Sequence, residues 1–106
     1  MKEADAISAL GALAQEDRLA AFRLLVKSGP EGMASGDIAD ALNVQPTRMS
    51  FHLSGLERAR LVRTRREGRR ILYAADFSQM RSLLGFLTED CCCNLPEICG
   101  QPAATS

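Results

Sequence analysis

The stretch that most constrains this chain is residues 45–75, where a helical pattern runs directly into an arginine-rich hairpin pattern. In Pro46-Thr47-Arg48-Met49-Ser50-Phe51-His52-Leu53-Ser54-Gly55-Leu56-Glu57-Arg58-Ala59 the apolar residues Met49, Leu53 and Leu56 recur at i, i+4, i+7. That spacing predicts a helix over 46–59 with one inward stripe. Thr47, Arg48, Ser50, Phe51 and His52, near its N-terminal end, are left to face outward or sideways. Two strands are predicted next, Leu61-Val62-Arg63-Thr64-Arg65-Arg66 and Arg69-Arg70-Ile71-Leu72-Tyr73-Ala74, joined by a Glu67-Gly68 turn. A helix presenting polar side chains beside a basic two-stranded tongue suits a DNA major groove and the phosphates next to it.

Net charge is zero, which taken as a mean argues against a polyanion as partner. The distribution argues for one. Between residues 44 and 70 stand Arg48, Arg58, Arg60, Arg63, Arg65, Arg66, Arg69 and Arg70, against only Glu57 and Glu67. A local field, rather than the net charge, steers a polyanion. With 106 residues and 46% hydrophobic content, the chain is long enough for one domain with a modest core. No run approaches the roughly 18 apolar residues of a membrane span. The opening Met1-Lys2-Glu3-Ala4-Asp5 is too acidic and interrupted for a secretion signal, so a cytoplasmic location is expected.

Five helices and one hairpin account for most of the chain. A first helix is predicted over 4–14, with Ile7, Leu10, Leu13 and Ala14 on one broad apolar side. A second is predicted over Glu16–Ser28, with Leu19, Phe22, Leu25 and Val26 inward, and Gly29-Pro30 ends it. Residues 31–34 read as a loop or a very short strand. Ser35 is the candidate N-cap of a third helix over 36–42, and Asn43-Val44-Gln45 makes the turn into the next one. Pro46 suits the first helical position, with Gln45 or Thr47 as its cap. Asp76-Phe77-Ser78-Gln79 opens the last helix with a capping signal. In that helix Phe77, Met80, Leu83, Leu84, Phe86 and Leu87 cover more than one face. A domain this small does not bury so wide a surface alone, and the first helix has the same excess. The two terminal helices are therefore expected to build a homodimer interface.

Arg18-Leu19 followed by Phe22-Arg23-Leu24-Leu25, then Gly36-Asp37-Ile38-Ala39 and Ser50-Phe51-His52-Leu53-Ser54-Gly55-Leu56, make a recognisable series. With Ala59-Arg60-Leu61-Val62, Arg66-Glu67-Gly68-Arg69 and Tyr73, it resembles the ArsR/SmtB family of small dimeric metal- and metalloid-responsive repressors over residues 4–90. The resemblance implies a mainly α winged helix-turn-helix with one β-hairpin, dimeric through its first and last helices, and no enzyme. It implies a recognition helix over 46–59, with Thr47, Arg48, Ser50 and His52 nearest double-stranded operator DNA and Gln45 contacting a base edge or phosphate from the turn. Arg65, Arg66, Arg69 and Arg70 are implied as the wing, touching backbone or minor groove. His52 is the only histidine, read as a helix-surface residue rather than a metal ligand because it has no companion. The Cys-Val-Cys pair of many arsenic-responsive members is missing from the third helix, and the last helix has no histidine for a zinc-type site.

All four cysteines fall instead in Cys91-Cys92-Cys93-Asn94-Leu95-Pro96-Glu97-Ile98-Cys99. In a cytosolic chain such clustering argues for soft-ion binding or redox sensing rather than structural bridges. Trivalent arsenic takes three thiolate sulfurs in a pyramid, and a turn at Pro96 can return Cys99 to the run. The segment resembles a family branch with a Cys-Cys pair after the last helix, which favours Cys91, Cys92 and Cys99. Spacing alone equally permits Cys92, Cys93 and Cys99, and all four together would suit tetrahedral zinc or cadmium. The reading is a repressor domain over 1–90, a metalloid-binding segment over 91–99 and a disordered tail over 100–106. As(III) or Sb(III) is the expected inducer, with a sensor of zinc, cadmium, lead, persulfide or redox state as the alternative.

Overall fold

A computed structural model describes residues 1–89, which fold into five helices and a three-stranded antiparallel sheet. The segments 91–99 and 100–106 lie outside the described residues. Helix α1 (Glu3–Leu13) turns Ala6, Ala9 and Ala12 into the core. Ile7 and Leu10, on the broad apolar side predicted from sequence, point away from the protomer core and are 62% and 42% exposed. A stripe of alanines at i, i+3, i+6 lets α1 approach its neighbours closely, and the bulkier side chains are left on the opposite side.

Helix α2 (Glu16–Ser28) has the predicted span, and the Gln15 side chain caps it by accepting from the Arg18 backbone N–H at 2.9 Å. Phe22 and Leu25 are buried as expected, but Leu19, predicted inward, is 45% exposed. Residues Met33–Ala34 form the short strand β1. Helix α3 (Ser35–Leu42) begins one residue earlier than predicted, with Ala34 at its cap position. Ser35 is thus inside the helix, and its hydroxyl lies 3.3 Å from that of Ser50 rather than capping the backbone.

The tight turn after α3 has a definite physical cause. Asn43 takes the left-handed conformation, with φ 56°, while Val44 N–H donates to Ala39 O and Asn43 N–H to Asp40 O. That pair of bonds closes the helix in a Schellman-type ending, and Asn is the side chain that best tolerates the position after Gly. The chain then enters helix α4 (Pro46–Arg58) with Pro46 in its first turn; Gln45 occupies the cap position without a side-chain capping bond. Met49, Leu53 and Leu56 are wholly buried, as their spacing predicts, and join Leu25, Ile38 and Leu61 as the largest fully enclosed side chains. Each such burial stabilises the fold by about 1.5–3 kcal/mol.

Strands β2 (Val62–Glu67) and β3 (Arg70–Ala75) pair with Glu67 opposite Arg70, and β1 flanks β3 on its other side. The hairpin turn is therefore Gly68-Arg69, one residue later than predicted. Gly68 has φ 64° at the first turn position, the place a two-residue hairpin of the II′ kind reserves for glycine. Helix α5 (Phe77–Thr88) opens where predicted, Asp76 accepting from the Gln79 backbone N–H at 3.0 Å. Leu83 is buried, whereas Leu84 and Leu87 are 52% and 50% exposed. No described helix is long and apolar enough to cross a membrane.

Candidate nucleic-acid interface

The buried residues of α4, Met49, His52, Leu53, Gly55 and Leu56, define its inward side. At about 100° per residue, the opposite side is centred on Thr47 and Ser54, with Arg58 beside them, Phe51 and Ser50 on its two flanks and Arg48 at the edge nearer α2. Thr47, Arg48, Ser50, Phe51 and Arg58 are exposed, and so is Gln45 at the helix start. Four of the residues assigned to DNA from sequence, Gln45, Thr47, Arg48 and Ser50, are thus exposed at the N-terminal half of the helix.

His52 does not join them. The sequence pattern predicts a helix-surface residue there, yet His52 is 7% exposed and turned toward α2. There Arg18 Nε donates to His52 Nδ1 at 3.2 Å, and Asp17 Oδ2 lies 3.5 Å from His52 Nε2. An acceptor at Nδ1 requires the ring to be neutral with its proton on Nε2, facing the carboxylate. Burial lowers the His52 pKa from 6.5, the Arg18 and Arg48 charges lower it too, and Asp17 opposes them. The histidine is an internal strut between the recognition helix and α2.

The same carboxylate reaches the surface. Arg48 Nη2 sits 2.9 Å from Asp17 Oδ2, an ion-pair approach without the alignment of a hydrogen bond. Arg18 meanwhile fills the space beside Gly55, where an added Cβ would come within 2.6 Å of the guanidinium carbon. Its guanidinium also stands 5.5 Å from the centre of the Phe51 ring. Asp17 and Arg18 were not singled out for a role in the sequence. Only the packing of α2 across α4 reveals that they set the orientation of three recognition-helix side chains.

The wing arginines divide into two sets. Arg65 donates to Glu31 O at 2.9 Å and pairs with Glu67 at 3.3 Å, while Arg70 pairs with Asp37 of α3 at 3.0 Å. Strand alternation explains this: Arg65, Glu67, Leu72 and Arg70 share the face turned to α3 and the loop before β1. They line a cleft of about 560 Å³ together with Pro30, Glu31, Gly32, Met33 and Asp37. Arg66 lies on the opposite face, across from Ile71, and Arg69 is at the turn. Both are exposed, and neither has an ion pair among the described residues.

Cys91, Cys92, Cys93 and Cys99 lie outside the described residues. Within those described, no group of three or more His, Cys, Asp or Glu side chains is placed to hold a metal ion.

Two helices joined at a tight turn, a polar outward helix face and an arginine-bearing hairpin define a winged helix-turn-helix. The chain belongs to the helix-turn-helix domain family, whose model matches residues 13–65. It is 35% identical over 80 residues to the nodulation protein NolR of Rhizobium meliloti, covering 76% of this chain and 63% of that protein's length. Its fold is that of ArsR-like regulators: the one from Rhodococcus sp. RHA1 superposes with a TM-score of 0.71 at 26% identity, covering 79% of this chain and 76% of that one. The antimony-specific transcriptional repressor AntR superposes with a TM-score of 0.61 at 30% identity, over 76% and 72% of the two chains. The homodimeric winged helix-turn-helix DNA-binding domain Mb0332 of Mycobacterium bovis gives 0.64 at 29% identity, over 81% and 80%.

Proposed function

We propose that the chain is a homodimeric repressor that holds operator DNA through α4 and the wing and releases it when As(III) or Sb(III) is captured by its cysteines. The observation that carries the DNA-binding half is the open strip of α4 beside a wing whose exposed Arg66 and Arg69 have no ion pair among the described residues. A polar helix face reads base edges, and unpaired arginines take the flanking phosphates. Dimerisation through α1 and α5 is supported by the exposed Ile7, Leu10, Leu84 and Leu87 and by the homodimeric state of Mb0332. Two copies present two recognition helices, which fit half-sites about one DNA turn apart, roughly 34 Å.

The inducer half rests on sequence chemistry. Three consecutive cysteines and a fourth nearby offer the three soft sulfurs a trivalent metalloid requires, and they follow α5 directly. The likeness to an antimony-specific repressor supports the same class of ligand. The mechanism is linkage: an ion that binds best to a dimer geometry unlike the DNA-bound one weakens DNA by the same factor. Tightening the segment after α5 acts on a helix whose leucines face the dimer partner in this reading.

The test is a fluorescence-anisotropy titration on a duplex from the chain's own promoter region, repeated with arsenite, antimonite, zinc, cadmium and a thiol oxidant. Cys92→Ser and Cys99→Ser belong to either three-thiolate set and should each bind DNA yet ignore arsenite. Of Cys91→Ser and Cys93→Ser, the variant that still releases DNA has lost the spare thiol. Full arsenite response in Cys92→Ser or Cys99→Ser overturns the three-thiolate site. Release by zinc or cadmium with loss in all four variants replaces it with a Cys₄ site, and release by oxidant alone replaces it with a redox switch.

A further inference from the structure

We infer that Phe51 is the apolar reader of the recognition helix and packs against the 5-methyl group of thymine in the major groove, held in position by Arg18. This rests on the DNA-binding reading above and deepens it.

Phe51 is 60% exposed, although it is the largest apolar side chain on α4. It stands on the outward side of α4, on the flank nearer α2, and Thr47, Ser54 and Arg58 beside it there are all polar. It is therefore a single apolar point in a polar strip, not the edge of an apolar patch of the kind carried by α1 and α5. An exposed aromatic ring is ordinarily free to reorient, but this one is held. The Arg18 guanidinium lies 5.5 Å from its centroid, and the His52 ring meets it edge-on at 5.6 Å and 64°. Arg18 is itself locked by its bond to His52 Nδ1 at 3.2 Å and by the gap that Gly55 leaves for it.

A ring fixed before binding loses little conformational freedom on contact, which is what a specificity element needs. The floor of the major groove offers hydrogen-bond donors and acceptors at every base pair, but only thymine adds an apolar group, its C5-methyl. A phenylalanine makes no hydrogen bond to a base edge, so the methyl is the feature it can distinguish. Thr47 and Ser54, on either side, supply hydroxyls for the neighbouring base edges or phosphates. Arg18 is a positioning residue in this arrangement: it acts through the ring and through His52.

The experiment begins with selection of a tight-binding duplex from a pool with a randomised core, using the wild-type chain. Each thymidine of that duplex is then replaced in turn by deoxyuridine, which removes the methyl and nothing else. At one or two thymines per half-site the replacement should weaken wild-type binding about fourfold, the worth of burying one methyl-sized group. Phe51→Ala, a change at an exposed position, should keep the fold by circular dichroism and bind the thymidine and deoxyuridine duplexes equally. Arg18→Ala should reduce the methyl discrimination although Phe51 is still present, because the ring is no longer held; unchanged discrimination in that variant overturns the positioning role of Arg18. Wild-type indifference to every deoxyuridine replacement overturns the inference, as does a deoxyuridine penalty that persists in Phe51→Ala. Failure of the wild type to enrich or bind any duplex would overturn the DNA-binding reading itself, and this inference with it.

Discussion

His52 is where a single residue couples the fold to solution pH. Its Nδ1 accepts from Arg18, and its burial, with the Arg18 and Arg48 charges against the opposing Asp17, holds the pKa below 6.5. In the unfolded chain the ring takes up a proton near 6.5, whereas the native ring resists it until a lower pH. The unfolded state therefore binds more protons in that window, and stability falls as pH drops through 6.5 toward the lowered native value. The denaturation midpoint measured from about pH 8 to about pH 5.5 should decline for the wild type and decline less for His52→Gln, which has no titrating ring. An equal slope in both proteins would remove His52 as the source. The lone histidine was visible in the sequence, but not its burial. At i+3 from Met49 it sits at the edge of the apolar stripe, and periodicity does not distinguish an inward strut from an outward contact there.

The wing shows the same divide at the level of an element. Alternating residues and a Gly at the turn made the hairpin legible, yet the register came out one residue later because Gly68, not Glu67, takes the left-handed position. That shift sets Glu67, rather than Arg65, opposite Arg70, and Ile71, rather than Arg69, opposite Arg66. Arg65 and Arg70 are held by Glu31, Glu67 and Asp37 and brace the wing against α3, whereas Arg66 and Arg69 are exposed without an ion pair among the described residues. Arg66→Ala and Arg69→Ala should each lower the log–log salt slope of DNA binding by roughly 1, on specific and random duplexes alike. Arg65→Ala and Arg70→Ala should change that slope less, since each already has a protein partner. Equal slopes for all four variants would show that the ion pairs do not hold the two inner arginines back from DNA.

For the whole molecule, the decisive feature is apolar surface left uncovered on two terminal helices. Ile7, Leu10, Leu84 and Leu87 are each 42% or more exposed while the alanines of α1 and Leu83 of α5 fill the protomer core. Covering such a surface with a second copy is the ordinary resolution for a small domain. Sedimentation at micromolar concentration should show a dimer without any inducer. Leu84→Glu combined with Leu87→Glu should yield a folded monomer, because both side chains are already outside the core. It should bind a two-half-site duplex far more weakly, having lost the linkage of its two recognition helices. A monomeric wild type would leave these faces without the role proposed for them.

Local periodicity by itself determined the core of the DNA-reading unit. Met49, Leu53 and Leu56 point inward because their spacing matches the helical turn, and Asn43, Pro46, Gly68 and Asp76 mark where elements stop and start because their backbones or side chains favour those positions. Periodicity also shows that a helix carries more apolar surface than one face needs, but not which side its neighbours will cover. In α1 that choice fell to Ala6, Ala9 and Ala12, since close helix contact favours small side chains over Ile7 and Leu10. The cluster of Asp17, Arg18, Arg48, Phe51 and His52 was decided only by tertiary structure. Its members come from two helices far apart along the chain, and charge, burial and ring packing act between them only once α2 lies across α4.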